Sequence, residues 1–145
     1  MSGGYQMYDT TGATLTGNTI VRGGGDLAGQ QRGAIWIWPN YGYPTNSPAI
    51  SNLTFTGNTI QNSIWRGIQF AYPYNTQQTS VTFNNNTITG TISPTGDGID
   101  IDNTFVGTGS FNNNTVSVPG SAYRNSAPGT FKGSGSLNVP AFSFP

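Results

Sequence analysis

Three of the five aspartates in this chain fall in one short stretch, Asp97-Gly-Ile-Asp-Ile-Asp102. On an extended strand Asp100 and Asp102 share a face roughly 6.5 to 7 Å apart, and Asp97 sits at the bend before them. Carboxylates separated by roughly 6.5 to 9.5 Å leave room for a water between a base and a sugar ring, which is the geometry of inverting glycoside hydrolysis. Mutual repulsion can also raise one carboxyl far enough to keep it protonated as an acid. Asp97, Asp100 and Asp102 are therefore the candidate catalytic residues. Two other readings remain open: a turn and strand whose acids keep an exposed face soluble, and a calcium site. The spacing of a calcium-binding loop is missing, and no metal or cofactor is expected.

A second group of residues suits binding rather than bond cleavage. Trp36 and Trp38 occupy alternate positions of Gly33-Ala-Ile-Trp-Ile-Trp38, and Trp65 precedes Arg66-Gly-Ile-Gln-Phe-Ala71. Tyr41 and Tyr43 lie in Pro39-Asn-Tyr-Gly-Tyr-Pro44, with Tyr72 and Tyr74 in the equivalent place one repeat later. Flat aromatic faces with polar tips match the C–H face and hydroxyls of a sugar, and Arg66 and Gln69 add hydrogen-bonding groups beside them. The same rings could equally pack beneath their own loops or form a subunit interface.

Composition removes most other chemistry. The chain has 145 residues, only 7% of them charged, with a formal net charge of +0 and no histidine. Glutamate and cysteine are also missing. His-based triads, His or thiolate metal sites, disulfides and cysteine nucleophiles are thus excluded. Charge neutrality offers no attraction to nucleic acid or to an anionic membrane, and no apolar run approaches the roughly 18 residues of a membrane-spanning helix. Gly23-Gly-Gly25 lacks the Lys-Ser/Thr of a phosphate-binding loop. No leader is visible at Met1-Ser2-Gly3-Gly4. A polar, weakly charged chain rich in Asn, Thr, Ser and Gly suggests an extracellular or cell-surface location.

The elements that must position these residues are set by repetition. One phrase occurs four times: Ala13-Thr-Leu-Thr-Gly-Asn-Thr-Ile20, Asn52-Leu-Thr-Phe-Thr-Gly-Asn-Thr-Ile60, Ser80-Val-Thr-Phe-Asn-Asn-Asn-Thr-Ile88 and Gly109-Ser-Phe-Asn-Asn-Asn-Thr-Val116. Its asparagines Asn18, Asn58, Asn86 and Asn114 are 40, 28 and 28 residues apart. A nearly constant all-β unit suits one coil of a solenoid, with an insertion in the first. A second phrase, containing Gly33-Ala-Ile35, Gly67-Ile68 and Gly98-Ile99, alternates apolar and other residues. It predicts inward columns Ile35/Ile68/Ile99 and Ile37/Phe70/Ile101, with Trp36, Gln69 and Asp100 pointing outward. The first phrase predicts Leu15, Phe55, Phe83 and Phe111 inward, and a corner where the four asparagines stack in a left-handed bend. The expected fold is all-β, a right-handed parallel β-helix of about four to five coils in one domain.

Through its Gly/Asn-Asn-Thr-Ile bends and Gly-Ile-x-Ile strands, from about Ala13 to Val116, the chain resembles the right-handed parallel β-helix, pectin-lyase-like superfamily. That superfamily includes pectate lyases, polygalacturonases and some phage tailspikes. Pro94-Thr-Gly-Asp-Gly-Ile-Asp100 resembles the Asn-Thr-Asp-Gly-φ-Asp motif of polygalacturonase-type glycoside hydrolases, in which Asp97 matches the first aspartate. Thr95 and Gly96 replace the Asn-Thr pair, and the Asp-Asp, His-Gly and Arg-x-Lys motifs have no counterpart. The resemblance implies a polysaccharide as partner, and the departures leave a complete galacturonase site unavailable.

Coils are expected over about residues 13–118, with candidate caps in 1–12 and 119–145. Strand edges without caps invite pairing with other copies, so two function classes remain. One is a polysaccharide-acting module that binds, and in its sharper form hydrolyses, a glycan. The other is a structural solenoid stacking end to end into a homo-oligomer, fibre or stalk.

Overall fold

β-Branched and aromatic residues alternate with polar ones between Gly-Asn and Asn-Asn corners, a composition that favours short pleated strands over helix. The computed structural model describes residues 4–8, 10–24, 32–38, 51–70, 78–101, 106–126, 128–129 and 131–139; none of these is helical. Strand β1 (Tyr5–Tyr8) is followed by β2 (Thr14–Thr16), β3 (Thr19–Val21) and β4 (Gly33–Trp38). The next coil holds β5 (Leu53–Thr56), β6 (Thr59–Ser63) and β7 (Arg66–Phe70), and the one after it β8 (Gln78–Asn84), β9 (Thr87–Thr91) and β10 (Ile99–Ile101). Then β11 (Val106–Ser117) runs through a corner, and β12 (Tyr123–Asn125) and β13 (Phe131–Asn138) complete the series.

Among the described residues every ladder is parallel, and like strands stack on like. One sheet has the order β1-β4-β7-β10-β12; the other runs β2-β5-β8-β11-β9-β6-β3, with β13 on β11. The architecture is a parallel β-solenoid of about three turns. That is fewer than the four to five coils expected, because four asparagine corners bound only three full turns and the flanking strands add part-turns. Both segments offered as candidate caps carry strands that continue the first sheet: β1 pairs with β4, and β12 pairs with β10. Further along the second of these segments, β13 pairs with β11.

The inward columns are those the alternation predicts. Ile35, Ile68 and Ile99 are in register, as are Ile37, Phe70 and Ile101, and all six are buried. Phe55 stacks on Phe83 at 4.6 Å between ring centroids, and Phe83 on Phe111 at 5.2 Å. These distances are the coil repeat itself, since equivalent side chains on adjacent parallel strands sit one strand spacing apart. Phe70 meets Phe83 edge-on and Tyr123 meets Phe111 likewise, joining the two sheets across the core.

At the corner each ladder asparagine is bonded three ways. Asn58 donates its backbone N–H and Nδ2 to Asn86 Oδ1 at 3.0 and 2.9 Å, and Nδ2 also to the Leu15 carbonyl at 2.8 Å. Asn86 repeats the pattern toward Asn114 and the Phe55 carbonyl. The left-handed residue, however, is the one before the ladder asparagine. Gly17, Gly57, Asn85 and Asn113 have φ of 65°, 63°, 55° and 53°. The expectation had assigned that backbone to Asn18, Asn58, Asn86 and Asn114. Gly and Asn tolerate this region best, so the phrase accepts either at that place. The repeated glycine of the second phrase has a different cause: a Cβ on Gly67 would lie 2.6 Å from Ile88 Cγ2 and 2.7 Å from the Gly98 carbonyl oxygen.

Replacing Asn86 with Ala strands the Asn58 donors, the Phe55 carbonyl and Asn114 Oδ1 in the interior, at a cost of about 3 kcal/mol or more. Asn18→Ala, at the more exposed end of the ladder, costs about 1 kcal/mol; urea denaturation of both variants measures the difference. Burial pushes the Tyr123 phenol up to about 12, against the opposing hydrogen bond to Asn125. The fold thus favours the neutral phenol. Its contribution is complete below the unfolded value near 10 and is lost as pH rises through 12. Urea midpoints from pH 9 to 12.5 are expected to fall less steeply for Tyr123→Phe than for the parent.

Candidate functional site

The outward rank of the first sheet brings the candidate residues together. Trp36 on β4, Gln69 on β7, Asp100 on β10 and Arg124 on β12 are partners in register. Parallel pairing places their side chains one above another at the coil repeat. Arg66 opens β7, Trp65 precedes it, and Asp97 lies in the turn before β10. That turn is tight: the Gly96 carbonyl accepts the Gly120 N–H, and Asp97 Oδ1 accepts the Ser121 N–H at 2.9 Å. Asp97 therefore latches its own coil to the next one.

Two aspartates and two arginines from three successive coils form one neutral network. Arg124 grips Asp100 with both ends of its fork, Nε to Oδ1 at 2.8 Å and Nη2 to Oδ2 at 2.9 Å. Arg66 Nε lies 2.6 Å from Asp100 Oδ2 on the other side and 4.0 Å from Asp97 Oδ2. Arg124 Nε is also 3.3 Å from Asp97 Oδ2. Side-chain exposure is 3% for Asp100, 12% for Arg66 and 46% for Arg124. Bidentate guanidinium–carboxylate pairs are among the stronger charge-assisted hydrogen bonds, and both Asp100 oxygens are committed to them. The Arg124 guanidinium bridges the Asp97 and Asp100 carboxylates, while the Asp100–Asp102 pair whose spacing suggested an inverting mechanism has one member outside the described residues.

Outward does not mean open for the rest of the rank. Trp36 is 3% exposed, with the Arg32 guanidinium carbon 4.3 Å from its ring centroid, a cation–π contact that covers a ring face. Gln69 is buried, and its Oε1 accepts the Gly33 N–H at 3.0 Å. Trp65 is half-buried and walls a half-open cleft of about 260 Å³ that it shares with Arg66, Thr95, Gly96, Asp97 and Arg124. Asp102, Tyr41, Tyr43, Tyr72 and Tyr74 lie outside the described residues, as does the side chain of Trp38. Among the described residues no cluster of three His, Cys, Asp or Glu could hold a metal.

Arg124 completes the site and carried no motif. Its signal was positional: Gln69, Asp100 and Arg124 follow their ladder asparagines Asn58, Asn86 and Asn114 at similar intervals, and Tyr123 and Arg124 repeat the inward–outward order of Ile99 and Asp100, with Asn125 in register with Ile101.

Removing Asp100 leaves the Arg66 guanidinium nearly buried without its closest counter-charge, so Asp100→Ala is expected to cost about 3 kcal/mol or more. Arg124→Ala removes a half-exposed partner while Arg66 continues to compensate Asp100, and the loss should be smaller, about 1 to 2 kcal/mol. Chemical denaturation of the two variants ranks them; an equal loss would mean that the buried side of the network contributes nothing special.

No protein-family model, no curated protein and no solved structure matches this chain.

Proposed function

We propose that this chain is a glycan-binding β-solenoid module whose cleft at Trp65, Arg66, Thr95, Asp97 and Arg124 holds a saccharide without hydrolysing it. The observation that carries the reading is the cleft itself, in which Trp65 lies beside a fixed, neutral set of guanidinium and carboxylate groups. A tryptophan ring supplies an apolar face for the C–H side of a pyranose, and preorganised donors and acceptors suit its hydroxyls. Neutrality favours an uncharged sugar over a polyanion.

Binding is favoured over cleavage for a geometric reason. Glycoside hydrolysis needs one carboxyl free to give a proton and another free to direct a water or attack carbon. Of the three candidate acids, the two among the described residues are both engaged: Asp100 has both oxygens held by arginines, and Asp97 has one oxygen on a backbone N–H and the other facing Arg124. The finer assignment to the pectin-lyase-like superfamily, and an extracellular or cell-surface location, belong to the same proposal. Both are supported by the asparagine corners, the Gly-Ile-x-Ile strands and the weakly charged, Asn/Thr-rich surface.

A glycan array followed by calorimetry tests this reading. Binding of at least one neutral oligosaccharide is expected, with Trp65→Ala weakening it about tenfold or more and a reducing-sugar assay staying at background. Unchanged affinity in a folded Trp65→Ala variant would remove the cleft from the site; released reducing ends that vanish in Asp97→Asn would restore catalysis.

A further inference from the structure

A different face of the solenoid carries a regular grid of hydroxyl and amide groups. On the sheet formed by β2, β5, β8, β11 and β13, the outward residues flanking the inward Leu15/Phe55/Phe83/Phe111 column fall into two ranks. Thr14, Thr54, Thr82, Ser110 and Ser134 are in register across the coils, and so are Thr16, Thr56, Asn84 and Asn112. Along each strand the two ranks lie roughly 6.5 to 7 Å apart. Across the coils, residues paired in register on adjacent parallel strands repeat at the strand spacing, roughly 4.7 to 4.9 Å.

The grid is rigid and electrically blank. Threonine is stiff at χ1, and Leu53, Phe55, Val81, Phe83 and Phe111, which alternate with the grid residues, are buried in the core. Side chains within it also brace one another: Asn112 Nδ2 donates to Asn84 Oδ1 and to Ser110 Oγ, each at 3.1 Å. No member is charged, and none is aromatic. Beside the first rank lies a shallow trough of about 380 Å³, bordered by Asn52, Thr54, Ser80, Thr82, Thr108 and Ser110. Its floor is held in place, for Ser80 Oγ accepts the Asn52 N–H at 2.8 Å and bonds the Asn52 side chain at 3.0 Å.

From this geometry we propose that the Thr/Ser/Asn face binds ice. A flexible chain gains little from a surface without an aromatic platform or a charge, whereas a solid that is already periodic in two directions can meet every row at once. Ice is uncharged, as the grid is, and its surface oxygens repeat on the same few-ångström scale in two perpendicular directions. Hydroxyls supply donors and acceptors at lattice points, the threonine methyls between them confine water laterally, and the trough has the volume to hold several waters. Because the groups are fixed before contact, little side-chain entropy is lost on binding. This face is separate from the Trp65 cleft and does not depend on the glycan reading.

The test is direct observation of ice crystals grown in solutions of the protein, read as crystal shape and as the gap between melting and growth temperatures. The chain is expected to facet the crystals and open a measurable gap. Thr82→Tyr, which raises a ring from the centre of the grid, should reduce that gap to about half or less. Thr89→Tyr, on the neighbouring face beyond the asparagine corner, should leave it unchanged, with circular dichroism confirming that both variants are folded. Round crystals and no gap with the folded parent chain would overturn the proposal, and so would equal losses in the two variants.

Discussion

The structure depends on one constraint: each coil is hydrogen-bonded to a copy of its own pattern at a single strand spacing. In a parallel ladder a residue's nearest neighbours on both sides are the equivalents of itself, so each position must be compatible with its own repetition. Phenylalanine satisfies that condition by stacking face to face, and asparagine by donating Nδ2 to the next Oδ1 while keeping a carbonyl below. Isoleucine satisfies it by plain close packing. The asparagine corner matters most because bends turn backbone polar groups away from the ladders, and a buried unsatisfied group there costs as much as the bond it lacks. Ladder asparagines carry these bonds through the corner without a helix, a disulfide or a metal.

That constraint explains which parts of the architecture were legible in the sequence. Positions read by repetition, such as Ile35/Ile68/Ile99, Ile37/Phe70/Ile101 and the stacked Asn18 to Asn114, are found as expected because their role recurs at a countable interval. Strands occurring once in their register were not legible. β1 and β12 share no phrase with the others; Tyr5 and Tyr123 stand where isoleucine stands elsewhere, so alternation alone could not align them. The left-handed corner residue was misplaced by one for a related reason. Composition reveals that Gly or Asn is needed, but in Asn84-Asn-Asn86 it does not show which asparagine bends and which one ladders.

The candidate site was legible as a neighbourhood and not as an arrangement. Alternation correctly put Trp36, Gln69 and Asp100 on one outward rank, but it treated outward as solvent-facing. Trp36 lies under Arg32, Gln69 binds the Gly33 amide, and Asp100 is enclosed by arginines from the coils on either side. Arg32 stands just outside the phrase that holds Trp36; Gly33 and Arg66 open phrases belonging to other coils than the residues they contact, and Arg124 belongs to no phrase. Their discovery needs the register of three coils at once, which the unequal loop lengths conceal.

The isolated acidic stretch has a physical explanation in the same terms. A charge in a solenoid rank cannot be repeated coil after coil, because like charges one strand spacing apart repel at close range and lose hydration together. It can occur once, if the positions above and below are neutral or opposite in sign. Asp100 meets that rule: Gln69 lies on one side of it and Arg124 on the other, while Arg66 reaches in from the coil of Gln69. Asp97 meets it through the Ser121 amide and the same two arginines. An acid cluster confined to one coil is therefore what electrostatics permits whether or not the acids touch a ligand. The informative feature for function is instead the place where this self-neutralised network opens to solvent, at Trp65 and the exposed side of Arg124.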